Sequence, residues 1–183
     1  ADEREVYRET SFSEIASICR RDRISLPEYI MEREDADLNE YLRKVWRAMQ
    51  DSIERGLAAS GVLLGELKLQ RKAAILKDKR CYNESADITM NRLIASYAYA
   101  VCEENADEHV VVTAPTCGSC GVLPSVLYYM QHDRGFPEEE IIRALSVAFD
   151  RNGNLPVQEK SHVFYQSRQV VFGIIDSVGI VAV

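Results

Sequence analysis

The sequence predicts a mainly α-helical fold, a single compact helical domain over residues 1–183 with one short extended segment leading into a loop of glycines and cysteines. Three observations carry that reading. Apolar residues recur at three- and four-residue steps over much of the chain, the spacing of one helical face. Serine-to-glutamate capping signatures stand ahead of two helical stretches. A single β-branched run at residues 109–114 sits directly before residues 115–121, where one proline and two glycines exclude regular structure. The length of 183 residues fits one domain, and a hydrophobic fraction of 46% suffices for a core.

Taken in order, Ser11-Phe12-Ser13-Glu14 has capping-box spacing ahead of Ile15, Ile18 and Cys19. Ser25-Leu26-Pro27-Glu28 repeats the signature, with Pro27 in a first helical turn. From Asp37 to about Ala58, Leu38, Tyr41, Leu42, Val45, Met49, Ile53 and Leu57 form the buried stripe of an amphipathic helix. Residues 60–67 break the pattern as a loop or short extended piece, and a helix resumes from Leu69 to Lys77. Another runs from about Asp87 to Glu104, lined by Ile88, Leu93, Ile94, Tyr97 and Val101. Its alanine-rich stretch, residues 95–100, predicts close helix packing. The run at 109–114 reads equally as a strand or as one buried extended segment. Helices follow over 123–131 and 137–149, the second opening with three glutamates that suit a helix N-terminus. Asn152-Gly153-Asn154 is a turn, and residues 163–183 are β-branched without an assignable pattern.

Composition narrows the partners. Against 29 acidic residues stand 22 basic ones, a net charge of −7, which argues against nucleic acid and anionic membranes. The basic stretch from Arg71 to Arg80 reads as a solvated helix face. No stretch reaches 18 apolar residues, so no membrane span is expected. The charged start, Ala1-Asp2-Glu3-Arg4-Glu5, lacks the apolar core of a signal peptide. Five cysteines (Cys19, Cys81, Cys102, Cys117 and Cys120) in an acidic chain point to thiols in a reducing compartment, the cytoplasm.

Chemistry concentrates between Thr113 and Pro124, where an extended segment passes through a glycine-rich loop into a helix. Amides at such a helix start suit an anion such as a substrate carboxylate. Gly118 and Gly121 would let a ligand approach the backbone, Thr116 and Ser119 offer hydroxyls, and Cys117 and Cys120 offer thiols. The Cys117-Gly118-Ser119-Cys120 spacing alone leaves three chemistries open. These are a redox dithiol, a zinc knuckle short of its second ligand pair, and an iron–sulfur cluster short of converging cysteines. Elsewhere, His109, His132 and His162 stand singly and read as surface or supporting groups, and Tyr97, Tyr99, Tyr128 and Tyr129 read as packing residues. Glu103 and Glu104 read as a solvated helix end, since adjacent helical side chains point apart. Asp133-Arg134-Gly135 reads as a turn.

Ala114-Pro115-Thr116-Cys117-Gly118-Ser119-Cys120-Gly121-Val122-Leu123-Pro124 resembles the Ala-Pro-Thr-x-Gly-(Ser/Ala)-(Cys/Ala)-Gly-x-x-Pro signature of the α part of iron–sulfur-dependent L-serine dehydratases. The preceding Ala98-Tyr99-Ala100-Val101-Cys102-Glu103-Glu104-Asn105-Ala106 is similar to the family's alanine-rich helix ending in Glu-x-Asn-Ala. The segment from Ser60 to Ala73 resembles its Gly-x-x-Pro-Gly-x-Leu-x-x-x-Arg-Arg-Ala stretch. The resemblance is strongest over 11–148, and residues 149–183 are a divergent tail. It implies a lyase acting on a small hydroxy amino acid, L-serine, with a [4Fe–4S] cluster as Lewis acid, a β subunit or domain as partner, and an oligomer. By position it implies Cys120 as a cluster thiolate with Cys117 beside it. It places Thr116, Gly118 and Ser119 on the substrate loop, supported by Asn105. The family's further cysteines, in a Gly-Cys-Gln-x-Glu stretch and beyond, have no counterpart after Ala148, so the cluster is expected to be incomplete or absent within this chain. The alternative is a helical relative or fragment that has lost the cluster and acts as an interaction subunit.

Overall fold

The computed structural model describes residues 9, 11–34, 37–79, 82–112 and 119–148. They form seven α-helices and one π turn: α1 (Phe12–Asp22), α2 (Leu26–Arg33), α3 (Asp37–Ala58), α4 (Ala73–Asp78), α5 (Ala86–Ala106), α6 (Val122–Tyr128), the π turn Tyr129–Asp133, and α7 (Glu138–Ala148). Among the described residues the extended pairing is an isolated bridge between Val62 and Gln70, so the protein is mainly helical, as the periodicity predicts. Two compact units divide the chain, with the boundaries at Arg43/Lys44 and Pro137/Glu138.

The first unit holds α1, α2, the start of α3 and α7. Its helix starts are specified locally. Ser11 accepts a hydrogen bond from the Glu14 amide. Ser25 and Glu28 form a complete capping box, with the Glu28 carboxylate accepting from the Ser25 amide at 2.7 Å. α1 stops where Arg23 turns left-handed and its amide closes on the Cys19 carbonyl. Ile15, Tyr29, Ile30, Leu38, Leu42, Ile141, Ile142 and Leu145 make the core, where α2 packs on α7. The glutamates that open α7 engage Arg43 through Glu138 and Glu139.

The second unit holds the rest of α3, the 60–72 loop, α4, α5, α6 and the π turn. Its core combines Trp46, Met49, Ile53, Tyr97, Ala100, Val101, Leu127 and Tyr128. α5 lies between α4 and α6 in the sense that it packs on both. The alanines of 95–100 do what their size predicts. A Cβ on Gly56 would overlap the Ala100 backbone, and one on Gly121 would come within 2.5 Å of the Ala98 carbonyl. On the same helix, the Ser96 hydroxyl donates to the Ala73 carbonyl at 2.7 Å, tying α4 to α5. The loop before α4 doubles back through Gly61 and Gly65, both at positive φ, and closes with Leu63 donating to Leu69 and Arg71 to Gly61.

Several boundaries and faces differ from the sequence reading. The stripe of α3 runs Leu38, Leu42, Trp46, Met49, Ile53, in steps of four and three. Trp46 is thus fully buried, while Tyr41, on the flank, is 40% exposed. Ile88 at the start of α5 is exposed as well. The helix expected from Leu69 opens only at Ala73, because residues 69–71 are occupied in closing the loop. Residues 109–112 form neither strand nor buried segment: they carry no ladder, and Val110 is 79% exposed. The helix expected over 123–131 is α-helical only to Tyr128 and then widens into the π turn, where Arg134 donates to Tyr129. Asp133 belongs to that turn, and Gly135 follows at positive φ. The tail from Phe149, with Asn152-Gly153-Asn154 and His162, lies outside the described residues.

Candidate functional site

The site begins at the C-terminal end of α5. Glu103 and Glu104, read from sequence as a solvated end, are instead 4% and 1% exposed. The reason is the 60–72 loop, which brings Arg71, itself 6% exposed, against them. Arg71 Nη1 donates to Glu104 Oε1 at 3.3 Å and lies 3.9 Å from Glu103 Oε2, and its Nη2 engages Asp107. One guanidinium thus spans three carboxylates, a task suited to its planar fork. Arg71 is therefore no part of a solvated basic face, whereas Lys72, Lys77 and Lys79 are exposed.

The two glutamates share Arg71, and each has further partners of its own. Glu103 Oε1 accepts from the amides of Lys72 at 2.6 Å and Ala73 at 3.2 Å, capping α4 from across the fold. Lys72 provides no side-chain cap of its own. Glu104 Oε2 accepts from Arg55 Nε at 3.1 Å and faces His109 Nδ1, also at 3.1 Å. Arg55 Nη2 donates onward to the Val110 carbonyl at 2.7 Å. Asp107 accepts from the Leu64 amide at 3.0 Å, and that bond, with the Arg71 guanidinium, holds its carboxyl below the usual aspartate range. Sequence reasoning missed Arg55, Arg71 and Asp107. The available signal was the run Glu103, Glu104, Asp107, Glu108, which has no Lys or Arg within a helical turn after it. So much negative charge at one helix C-terminus, where the dipole is also negative, calls for bases from elsewhere in the fold.

Of the signature loop, Ser119, Cys120 and Gly121 are described; Thr116, Cys117 and Gly118 lie outside the described residues. Cys120 is buried at 2% exposure, and Ser119 is half-buried. Gly121 has an ordinary negative φ, and the room left by its missing side chain is taken by the α5 backbone at Ala98. Asn105 is half-buried in the last turn of α5, and its carbonyl accepts from the Glu108 amide. The root of the loop and Asn105 are therefore anchored on one helix, two turns apart, or about 10 Å along its axis. All three segments that carry the family resemblance meet on α5.

A second cluster lies where α5, α6 and the π turn pack. Tyr97 donates to Asp133 Oδ2 at 2.9 Å, its ring is edge-on to Tyr128 at 4.8 Å, and His132 stacks on Tyr128 at 4.0 Å. Burial, with the Asp133 carboxylate, pushes the Tyr97 hydroxyl well above the tyrosine range, which keeps it a donor and suits a packing role. Gln131 accepts from both Trp46 Nε1 and Gln50, each at 3.0 Å.

Among the described residues no group of three or more His, Cys, Asp or Glu side chains converges as a metal site. Cys120 stands at the loop, Cys102 is half-buried on α5, and Cys19 belongs to the first unit, its thiol pushed up by burial. The described residues therefore do not assemble the ligands of a cluster. No described helix is long and apolar enough to cross a membrane.

In the second unit, then, Gly121 is seated on the backbone of the same helix that ends in Glu103-Glu104-Asn105-Ala106. The model of the serine dehydratase alpha chain family matches residues 5–150, and the chain belongs to that family. It is 36% identical over 141 residues to L-serine dehydratase of Streptomyces coelicolor, covering 74% of this chain and 31% of that protein. With L-serine dehydratase 2 of Escherichia coli it shares 36% identity over 154 residues, 78% of this chain and 33% of the relative. With L-serine dehydratase 1 of the same organism it shares 37% over 130 residues, 67% and 29%. The chain spans about a third of the length of these curated relatives.

Proposed function

We propose that this chain is the α part of an L-serine dehydratase, which converts L-serine to pyruvate and ammonia. In this reaction serine loses its Cα proton and Cβ hydroxyl as water, and the aminoacrylate formed takes water back to yield pyruvate and ammonia. The observation that supports the reading is that two of the segments matching the family both pack on the third, α5: Gly121 against Ala98, and the Lys72 and Ala73 amides on Glu103. Ser119 and Asn105 would meet the polar ends of the substrate, with Thr116 and Gly118 completing the loop. The 1–183 chain acts as one α-like domain in an oligomer with a β part. The cofactor is a [4Fe–4S] cluster, toward which Cys120, with Cys117 beside it, supplies thiols. Its remaining ligands come from beyond the described residues. Five cysteines in an acidic chain support a reducing, cytoplasmic setting.

The test is iron and acid-labile sulfide per chain after anaerobic reconstitution, compared between wild type and Cys120→Ser. Stoichiometric iron and sulfide that drop in the variant are the expected result. Absence of both from wild type, in the presence of the remaining dehydratase polypeptide, would leave the helical interaction subunit as the better reading.

A further inference from the structure

We propose that Arg55 is a positioning residue, one that fixes the path by which the chain leaves α5 toward the signature loop. The kinetic part of this inference rests on the dehydratase reading; the structural part rests on geometry alone. The Arg55 guanidinium makes two bonds at once. Nε donates to Glu104 Oε2 at 3.1 Å, and Nη2 donates to the carbonyl of Val110 at 2.7 Å. Glu104 is a fixed point, buried and held on its other oxygen by Arg71. His109 adds a second tether, its amide donating to the Glu104 carbonyl at 2.9 Å and its ring Nδ1 facing the same carboxylate.

What is tethered has little else to hold it. After α5 the backbone passes through Glu108 at φ 61, a left-handed conformation that a glutamate keeps only when its surroundings impose it. Val110 is largely exposed, and residues 109–112 belong to no helix or ladder. Val111 and Val112 are half-buried, and ahead of them the course is set by the bonds at His109 and Val110. Arginine fits the task because its fork reaches a carboxylate and a carbonyl together, where the single ammonium of lysine serves one well. Arg55 itself is about half exposed, and when it is replaced Glu104 keeps Arg71 on its other oxygen.

The experiment uses the full chain, as wild type, Arg55→Met and Arg55→Lys. Hydrogen–deuterium exchange is followed at the His109 amide, with α3 and α5 as internal references. L-Serine KM and kcat are measured on the enzyme assembled with its remaining polypeptide. In Arg55→Met, exchange of the His109 amide, which donates to the Glu104 carbonyl, should rise roughly five- to tenfold as the tether beside it is lost, while the reference helices stay unchanged. KM should rise more than kcat falls, and Arg55→Lys should recover part of both effects. Unchanged exchange at His109, or an equal rise in the reference helices, overturns the proposal. So does a wild-type KM in an active Arg55→Met enzyme. If exchange responds as expected but the wild-type assembly does not act on L-serine, positioning stands and the dehydratase reading fails.

Discussion

Arg71 is the residue on which the most charge depends. It is buried with three carboxylates around it, and a buried ion network is far more sensitive to losing one partner than its net stabilisation suggests. Replacing it by methionine keeps volume but strands Glu103 and Glu104 away from water. Arg71→Met should therefore lower unfolding free energy by about 3–5 kcal/mol, read from urea denaturation followed by circular dichroism. A loss below about 1 kcal/mol would show that the carboxylates find water or other bases. Neither Arg71 nor its partners were legible as a unit in the sequence. Helical spacing reveals neighbours three and four positions apart, whereas Arg71 and Glu104 are joined only when a loop folds back on a distant helix.

At the scale of elements, the helices whose signals are local were readable and those whose signals are distant were not. α1 and α2 begin at their own serines, and α3 was read from Asp37 to Ala58, the limits it has. α4 was placed four residues early because its cap, Glu103, lies thirty residues further along the chain. The π turn has no local signal either: its side chains Gln131 and Asp133 are bonded by Trp46 and Tyr97, which meet them only in the fold. Close helix packing was legible in the alanines of α5, yet its counterpart, Gly56, was not singled out. Alanine is the better helix former by about 1 kcal/mol, so in an isolated helix Gly56→Ala would stabilise. Here the new methyl would meet the Ala100 backbone, which cannot move aside as a side chain could. The net effect should be destabilisation, since overpacking typically costs about 1–3 kcal/mol, and it will appear as a lower thermal midpoint. A raised midpoint would mean that the helices have slack at this crossing.

For the whole molecule, the telling quantity is that the chain covers about a third of its L-serine dehydratase relatives. On the proposed reading, the chain alone should form no pyruvate from L-serine, and activity should appear when the missing polypeptide is supplied. Turnover by the chain alone would overturn that division of labour. The second unit also carries a feature whose effect extends to comparison across the family. A π turn is an α-helix that has accepted one residue too many, and residues 129–133 are such a place. Deleting one of them would restore ordinary helical winding and leave one side chain fewer to cover the same stretch, while the residues before it keep their faces. Gln131 could then no longer face Trp46 while His132 covers Tyr128. A relative that is one residue shorter here should differ at those partner positions as well, so the gap and the substitutions should be inherited together.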